Sequence, residues 1–146
     1  MEPLRFSFSV AGTACAVTDS RHRVVAGVRD WRLDDADEVL ETVALVTSEL
    51  LTNAVLHAGH GPISVAAELT GGRVRIEVCD SSPVLPKVGL PGACDEHGRG
   101  LPIVAALADR HDAEVTASGK RCWAEIPVPA PPAPPDAAVH ALLPRR

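Results

Sequence analysis

Glu49-Leu50-Leu51-Thr52-Asn53-Ala54 is the stretch of this sequence that decides the fold. It lies near the end of a long amphipathic segment whose apolar residues recur at helical spacing, which predicts an α-helix. Residues four apart are neighbours on a helix surface, so Glu49 and Asn53 share one face. There the carbonyl oxygen of Asn53 can bind a hard cation while Glu49 orients water or a hydroxyl group. From the spacing alone an ordinary solvated face is the favoured alternative, so the rest of the chain must decide.

Length and charge indicate one domain without a nucleic-acid or membrane partner. The chain has 146 residues, enough to bury a core without disulfide or metal crosslinks. Its 14 basic and 19 acidic residues give a net charge of -5, and no run of Lys or Arg forms a basic stripe. The amino-terminal segment lacks the pattern of a signal peptide, and we expect no stretch to approach the length of a membrane span. These features predict a cytoplasmic protein.

The cysteines do not indicate a metal site or a disulfide framework. They lie at Cys15, Cys79, Cys94 and Cys122, with no Cys-x-x-Cys pair. Cys94 and His97 are close in sequence, but two ligands are too few for a zinc site. We expect all four thiols to be reduced and packed.

Hydrophobic periodicity predicts about three helices and five strands. Alternating apolar residues predict strands, whereas apolar residues three or four apart predict helices. The predicted elements are a strand from Arg5 to Val10, a helix from between Thr13 and Thr18 to about Arg32, a helix from Asp34 to Gly59, a hairpin with strands Ile63–Leu69 and Val74–Val78 turning at Gly71-Gly72, a short helix beginning near Leu101-Pro102, and a hairpin from Ala113 to Ile126 turning at Gly119-Lys120. Residues 81–97, rich in Pro and Gly, predict a long loop of the lid type.

The same periodicity predicts the buried face of the second helix but not that of the last strand. The second helix should bury a stripe formed by Val39, Val43, Val46 and Leu50. On the last strand Trp123 breaks the alternation of its neighbours, so the pattern leaves open which face is buried.

The carboxyl-terminal segment has the composition of an unpacked tail. Six of the nine residues from Pro127 to Pro135 are proline, which favours an extended chain. We therefore predict a folded domain of residues 1–127 and a disordered, Pro-rich tail of residues 128–146.

Two further segments can supply binding groups at the ends of elements. Asp80 follows an alternating strand, so its carboxylate can accept a hydrogen bond from an exocyclic amine such as that of adenine; a turn-capping aspartate is the favoured alternative. Gly98-Arg99-Gly100-Leu101-Pro102 places two glycines at a predicted helix start, where free N–H groups and the helix dipole favour phosphate. A glycine pair of this kind is also common in ordinary turns.

The ordered set of acid-amide helix, strand ending in Asp, Pro- and Gly-containing loop, and glycine turn before a helix resembles the histidine kinase-like ATPase (GHKL) superfamily. The resemblance covers roughly residues 5 to 127 and is strongest to single-domain anti-sigma-factor serine/threonine kinases. It implies an α/β (α+β) two-layer sandwich. In that fold a mixed, mostly antiparallel sheet is covered on one face by about three helices.

The resemblance also implies roles for individual residues and two cofactors, ATP and Mg²⁺. Glu49 matches the catalytic base, and Asn53 matches the residue that coordinates magnesium through the nucleotide. His57 fits the continuation of the same motif, although a satisfied histidine at a helix end is an equal alternative. Asp80 matches the residue that reads adenine. The second glycine box, beneath the phosphates, corresponds to Gly98, Arg99, Gly100 and Leu101.

Three positions depart from the family pattern. The first glycine box reads Asp-x-Gly-x-Gly, whereas here Asp80 is followed by Ser81, Ser82, Pro83 and Val84, so the lid hinge lacks its glycines. Some anti-sigma kinases have an arginine two residues before the second glycine box, where this chain has Glu96; Arg99 is the residue available to replace it. Lys120 replaces the threonine of a Gly-Thr pair; it can contact phosphate, but a solvated turn residue is the favoured alternative.

The function implied by the resemblance is that of an ATP-binding regulatory protein. Such a protein binds a sigma factor and phosphorylates a serine or threonine of an anti-sigma factor antagonist, and a homodimer is compatible with it. The alternative is a catalytically inactive, nucleotide-gated module that sequesters a partner. A detached histidine kinase domain is disfavoured because Arg23 follows His22, where an acidic residue is common after a phosphoacceptor histidine, and no dimerising hairpin precedes the ATP-binding region. A gyrase-like ATPase is disfavoured because the chain is too short for a transducer domain.

Overall fold

Five strands and three helices make up the parts of the chain that a computed structural model describes, residues 4–34, 36–58, 61–85 and 100–129. In chain order they are β1 Arg5–Val10, α1 Ala14–Arg29, α2 Ala36–Ala58, β2 Ile63–Thr70, β3 Arg73–Asp80, α3 Gly100–Leu107, β4 Arg110–Thr116 and β5 Gly119–Pro127. The predicted order of elements is confirmed. Most of the predicted lid, from residue 86 onward, and the tail from residue 130 lie outside the described residues.

The strands form one open sheet in the order β1-β2-β3-β5-β4. Every neighbouring pair is antiparallel. The hairpin of β2 and β3 turns at Gly71 and Gly72 as predicted, and both have positive φ, as a two-residue hairpin turn requires. The predicted two-layer α+β fold is confirmed, with a sheet that is antiparallel throughout its described part.

One face of the sheet packs against the helices and forms the core. Alternate residues of the three central strands are buried there: Ile63, Val65, Ala67, Val74, Ile76, Val78, Cys122, Ala124 and Ile126. The α2 helix contacts β3 and β5, and its predicted stripe of Val39, Val43, Val46 and Leu50 is buried. Each such side chain contributes ~1.5–3 kcal/mol when fully buried. This packing fixes the rotation of α2 and therefore the face on which Glu49 and Asn53 lie.

The opposite face of the sheet carries charged side chains and Trp123. Because Cys122, Ala124 and Ile126 are buried, Trp123 lies on this outer face, where the Arg75 guanidinium stacks 4.1 Å from the ring centroid. Ion pairs cross the strands at Arg5–Glu68, Arg75–Glu125, Arg110–Glu125, Arg121–Glu77 and Arg121–Glu114. The pairs that do not involve the buried Glu125 are partly or fully exposed, and such pairs contribute ~0–1 kcal/mol each. The stability of the sheet therefore comes mainly from its other face.

The first helix is shorter than predicted. It ends at Arg29, not near Arg32, because the amides of Trp31 and Arg32 bond to carbonyls three residues back, at 3.0 Å each. Arg32 then adopts a left-handed conformation with φ 55°, which ends helical geometry. Its start agrees with the prediction, since the Thr13 side chain caps the helix by accepting a bond from the Ala16 amide.

The second hairpin differs from its prediction in the start of its first strand and in the position of its turn. Its first strand begins at Arg110, not Ala113, and its turn falls at residues 117 and 118. Gly119 pairs with Thr116 across this two-residue turn. Gly119 and Lys120 are therefore strand residues, and their assignment to the turn is wrong.

The length and hydropathy of α2 are those of a membrane span. Residues Ala36–His57 form a 22-residue helical segment that contains an 18-residue window with a mean hydropathy of 1.4, so the expectation that no stretch approaches this length is wrong. Half of that window is buried inside the protein. Packing against the sheet accounts for its apolar composition, because a helix that covers a sheet must carry a wide apolar stripe.

Candidate functional site

Asn53 is a buried polar residue with an unpaired atom. It lies on α2, is 8% exposed, and its amide nitrogen has no hydrogen-bond partner among the described residues. Leaving such a group unpaired costs ~1–3 kcal/mol, so an unpaired buried group in a native structure calls for a specific explanation such as a bound ion or water. A half-turn of the carboxamide exchanges its nitrogen and oxygen, so the same position can present a donor or an acceptor. This side chain fits a site for a polar ligand.

Glu49 and His57 lie on the same face of α2, one turn before and one turn after Asn53. Glu49 is half-buried and His57 is exposed. Partial burial suits a carboxylate that accepts a proton from a bound hydroxyl group, because it remains accessible to the reacting group. His57 is the basic residue of the last turn, where a positive charge is favourable to the helix dipole.

Asp80 is the last residue of β3, at the strand end where the sequence predicts it, and it is 6% exposed. Its Oδ1 accepts a hydrogen bond from the Ser82 amide at 2.8 Å, so the predicted turn-capping contact is confirmed. The same carboxylate also holds the Lys120 ammonium, with Nζ 3.0 Å from Oδ1 and 2.9 Å from Oδ2.

Lys120 is a buried strand residue, which corrects its assignment as a solvated turn residue. It is fully buried and directly opposite Asp80 in the register of β3 and β5. Gly119 makes this approach possible, because a Cβ at that position would lie 1.9 Å from the Asp80 carbonyl oxygen. Sequence reasoning missed the ion pair, although Lys120 has the same parity as the buried residues Cys122 and Ala124.

The predicted phosphate-binding turn is only partly described. Gly98 and Arg99 lie outside the described residues, and α3 begins at Gly100, with Leu101 in its first turn. The predicted start of the short helix is therefore confirmed. The α3 helix packs against α2, so the helix start and the Glu49-Asn53 face belong to neighbouring elements.

A metal ion at this site would need ligands beyond the protein. No group of three His, Cys, Asp or Glu side chains within the described ranges can hold a metal. Magnesium is usually bound by one or two protein groups together with phosphate oxygens and water. Asn53 and a bound nucleotide fit this requirement, whereas a cage made of protein side chains does not.

Cys122 lies next to the buried ion pair on the core face of β5. Burial raises the pKa of its thiol from 9.0 to about 11; the Lys120 charge opposes this rise, and the Asp80 charge adds to it. Cys122 is therefore a protonated, apolar packing residue at neutral pH.

Comparison with solved structures identifies a protein of similar fold. A crystal structure of the RsbU and RsbW domains of Rv1364c from Mycobacterium tuberculosis matches with a TM-score of 0.65 and 22% identity, over 87% of this chain and 33% of that chain. The chain thus spans about a third of that protein chain. A histidine kinase domain from the blue-light activated histidine kinase of Erythrobacter litoralis EL346 matches with a TM-score of 0.47 and 24% identity, over 61% of this chain and 46% of that chain. At 22% identity the likeness to the first of these structures shows the fold alone.

Comparison with protein families gives a more specific result. No curated protein matches the sequence. The model of the family described as histidine kinase-like ATPase domain matches residues 11–125, which include α1, α2, all of β2 to β4, and most of β5. With its fold and its Glu49-Asn53 helix in agreement, the chain belongs to the histidine kinase-like ATPase domain family.

Proposed function

We propose that this chain binds Mg²⁺-ATP and acts as a regulatory serine/threonine kinase of the anti-sigma-factor type. The observation that carries the nucleotide site is Asn53, a buried carboxamide with an unpaired atom on the helix face that it shares with Glu49. Membership of an ATPase domain family supports ATP as the ligand.

The chemistry of such a site consists mostly of positioning. Bound magnesium would neutralise charge on the β- and γ-phosphates, and Asn53 is the residue that would hold it. Glu49 accepts the proton of the attacking serine or threonine hydroxyl. Free amides at the start of α3, with Gly98, Arg99, Gly100 and Leu101, contact phosphate oxygens. Asp80 accepts a hydrogen bond from the adenine amine, and His57 extends the binding face of α2.

The partners we propose are a sigma factor and an antagonist protein that carries the phosphorylated hydroxyl. The similar crystal structure named for RsbU and RsbW domains supports a regulatory setting of this kind. We propose that the protein acts in the cytoplasm, without contacting nucleic acid, and that a homodimer is compatible with this role.

A second candidate function is a binding module that sequesters a partner without transferring phosphate. Two observations favour it: the Asp80 carboxylate is paired with Lys120, and Ser82 and Val84 replace the two glycines of the lid hinge. Incubation of a candidate antagonist with the protein and Mg²⁺-ATP, followed by mass measurement, separates the two functions. Addition of one phosphate supports the kinase, and an unchanged mass with retained binding supports the module.

Calorimetric titration with ATP, with and without magnesium, tests the nucleotide site. The variant is Asn53→Ala, and Thr52→Ala is the matched control, because Thr52 is the exposed neighbour on the same turn of α2. We expect magnesium-dependent binding that Asn53→Ala abolishes and Thr52→Ala retains. Absence of binding by the wild-type protein in both conditions would overturn the proposed ATP site.

A further inference from the structure

The buried ion pair between Asp80 and Lys120 closes the position where the proposed function needs an open carboxylate. The two side chains are 1% and 0% exposed. They face each other across β3 and β5, on the side of the sheet that the helices cover. No ligand can contact the Asp80 carboxylate while this pair is closed.

Hydrogen bonding uses most of the capacity of Asp80. A carboxylate has about four acceptor positions. Oδ1 accepts from the Ser82 amide and from Lys120, and Oδ2 contacts Lys120, so three contacts are already present. One acceptor position remains, but the carboxylate is only 1% exposed, so an exocyclic amine can reach it only if the Lys120 ammonium moves away.

The backbone prevents Lys120 from leaving by a shift of its strand. Gly119 brings β5 so close to β3 that an added Cβ would lie 2.7 Å from Ser81 backbone atoms, and the two strands are in continuous register from Arg73 to Asp80. Only a rotation of the Lys120 side chain can open the carboxylate. Such a rotation separates a buried charge pair, which is strongly unfavourable unless a ligand group replaces the lost partner.

We propose that Lys120 competes with the nucleobase for Asp80 and thereby sets the ATP affinity of the site. This inference rests on the proposed function, in which Asp80 reads the adenine amine. In the wild-type protein, each molecule of ATP that binds must break the ion pair, so part of the interaction with adenine is offset. Without the Lys120 ammonium, the buried Asp80 carboxylate has no charged partner. The adenine amine can then donate to Asp80 without first breaking an ion pair.

The test is Lys120→Met, which retains most of the side-chain length and removes the charge. Affinities for ATP and ITP are measured by calorimetry, with circular dichroism to verify folding. We expect ATP affinity to rise by about tenfold or more. ITP has a carbonyl oxygen in place of the exocyclic amine, and the ring N1–H is the only donor on that edge of its base, so its affinity should rise less than that of ATP. Lys120→Arg, which retains the charge, is the control and should show no such gain for ATP.

The outcomes separate failure of this inference from failure of the proposed function. Unchanged or weaker ATP binding by folded Lys120→Met, beside Asn53-dependent binding by the wild-type protein, would overturn the inference alone. An equal gain for ITP would also overturn it, because that gain would not depend on the amine. If neither protein binds ATP, the proposed nucleotide site fails as well. Should Lys120→Met not fold, Lys120→Gln provides a neutral donor to Asp80 and must show a gain of the same sign.

Discussion

At the residue scale, the site contains two buried polar side chains in opposite situations. Asn53 has an unpaired atom on the proposed binding face, whereas Lys120 is fully buried against Asp80. An unpaired buried group favours ligand binding because the ligand removes its cost. A satisfied buried pair opposes binding because the ligand must first separate it. Under the proposed function, the affinity for nucleotide would therefore depend on two opposing contributions, the unpaired Asn53 on α2 and the Asp80–Lys120 ion pair between β3 and β5.

The substitution Glu49→Gln should separate the binding of ATP from the transfer of its phosphate. We expect ATP affinity to change only slightly and phosphate transfer or ATP turnover to fall by about 100-fold or more, because glutamine cannot accept the hydroxyl proton. Single-turnover measurements with saturating Mg²⁺-ATP provide the rate, and calorimetry provides the affinity. A variant with the wild-type rate would exclude Glu49 as the base.

Cys122 should resist both ionisation and alkylation. Its pKa is raised from 9.0 to about 11, so between these values the unfolded chain releases the thiol proton more readily than the native protein. The contribution to stability is complete below pH 9 and is lost as pH rises toward 11. Urea unfolding across this range, compared with Cys122→Ala, should show a steeper loss of unfolding free energy in the wild-type protein.

At neutral pH an alkylating reagent should modify the exposed Cys15 and leave Cys122 unmodified; equal rates of modification would contradict the burial of Cys122.

At the element scale, the packing of α1 on β1 depends on the absence of a side chain at Gly27. An added Cβ would lie 2.4 Å from the Phe6 ring, which also packs against Trp31. We expect Gly27→Ala to destabilise the protein by ~1–3 kcal/mol through overpacking, although alanine is the better helix former by ~1 kcal/mol. Urea unfolding measures the change. In a Phe6→Ala background the same substitution should be neutral or stabilising, and an equal loss there would contradict the contact.

The junction of β3 and β5 should be more sensitive still. In Gly119→Ala the new Cβ would meet backbone atoms of Asp80 and Ser81, which cannot move without breaking the strand pairing. We expect a loss of ~3 kcal/mol or more in the free energy of unfolding, measured in urea. Gly72→Ala is the matched control, because it meets nothing within 4 Å and incurs only the strain of its positive φ. Similar losses in the two variants would show that the close approach at Gly119 is unimportant.

The sequence predicts an element well where a single hydrophobic period runs through it. It predicts an element poorly where local composition favours a turn but pairing with a distant strand decides the structure. The stripe from Val39 to Leu50 and the turn at Gly71-Gly72 follow from local spacing, and the structure confirms both. Gly119-Lys120 has the composition of a turn, but pairing with β3 makes it a strand. Lys120 could not be placed from its own chemistry, since a buried lysine needs a partner that lies 40 positions away. Only the parity of β5 indicates its burial.

At the scale of the whole molecule, the folded domain should end just beyond β5. The Val128 amide donates to the Gly72 carbonyl oxygen at 2.9 Å, and Val128 packs against the core. We expect a chain that ends at Pro129 to retain the unfolding free energy of the full chain. A chain that ends at Pro127 should lose ~1 kcal/mol, the value of a typical hydrogen bond. Thermal and urea unfolding of both truncated proteins test this boundary, and a large loss on removal of residues 130–146 would contradict it.

The open turn at Gly71 gives the domain a natural attachment point. A side chain added there would meet nothing within 4 Å, so the strain of the positive φ of 57° is the cost of the substitution. The turn precedes Arg73, whereas Asp80 lies at the other end of β3, ~25 Å away for an extended strand of this length. A peptide tag, a fluorophore or a second domain inserted at Gly71 would thus project from the end of the sheet remote from Asp80. The protein can be immobilised or labelled there while the proposed nucleotide site stays accessible to ligands and partners.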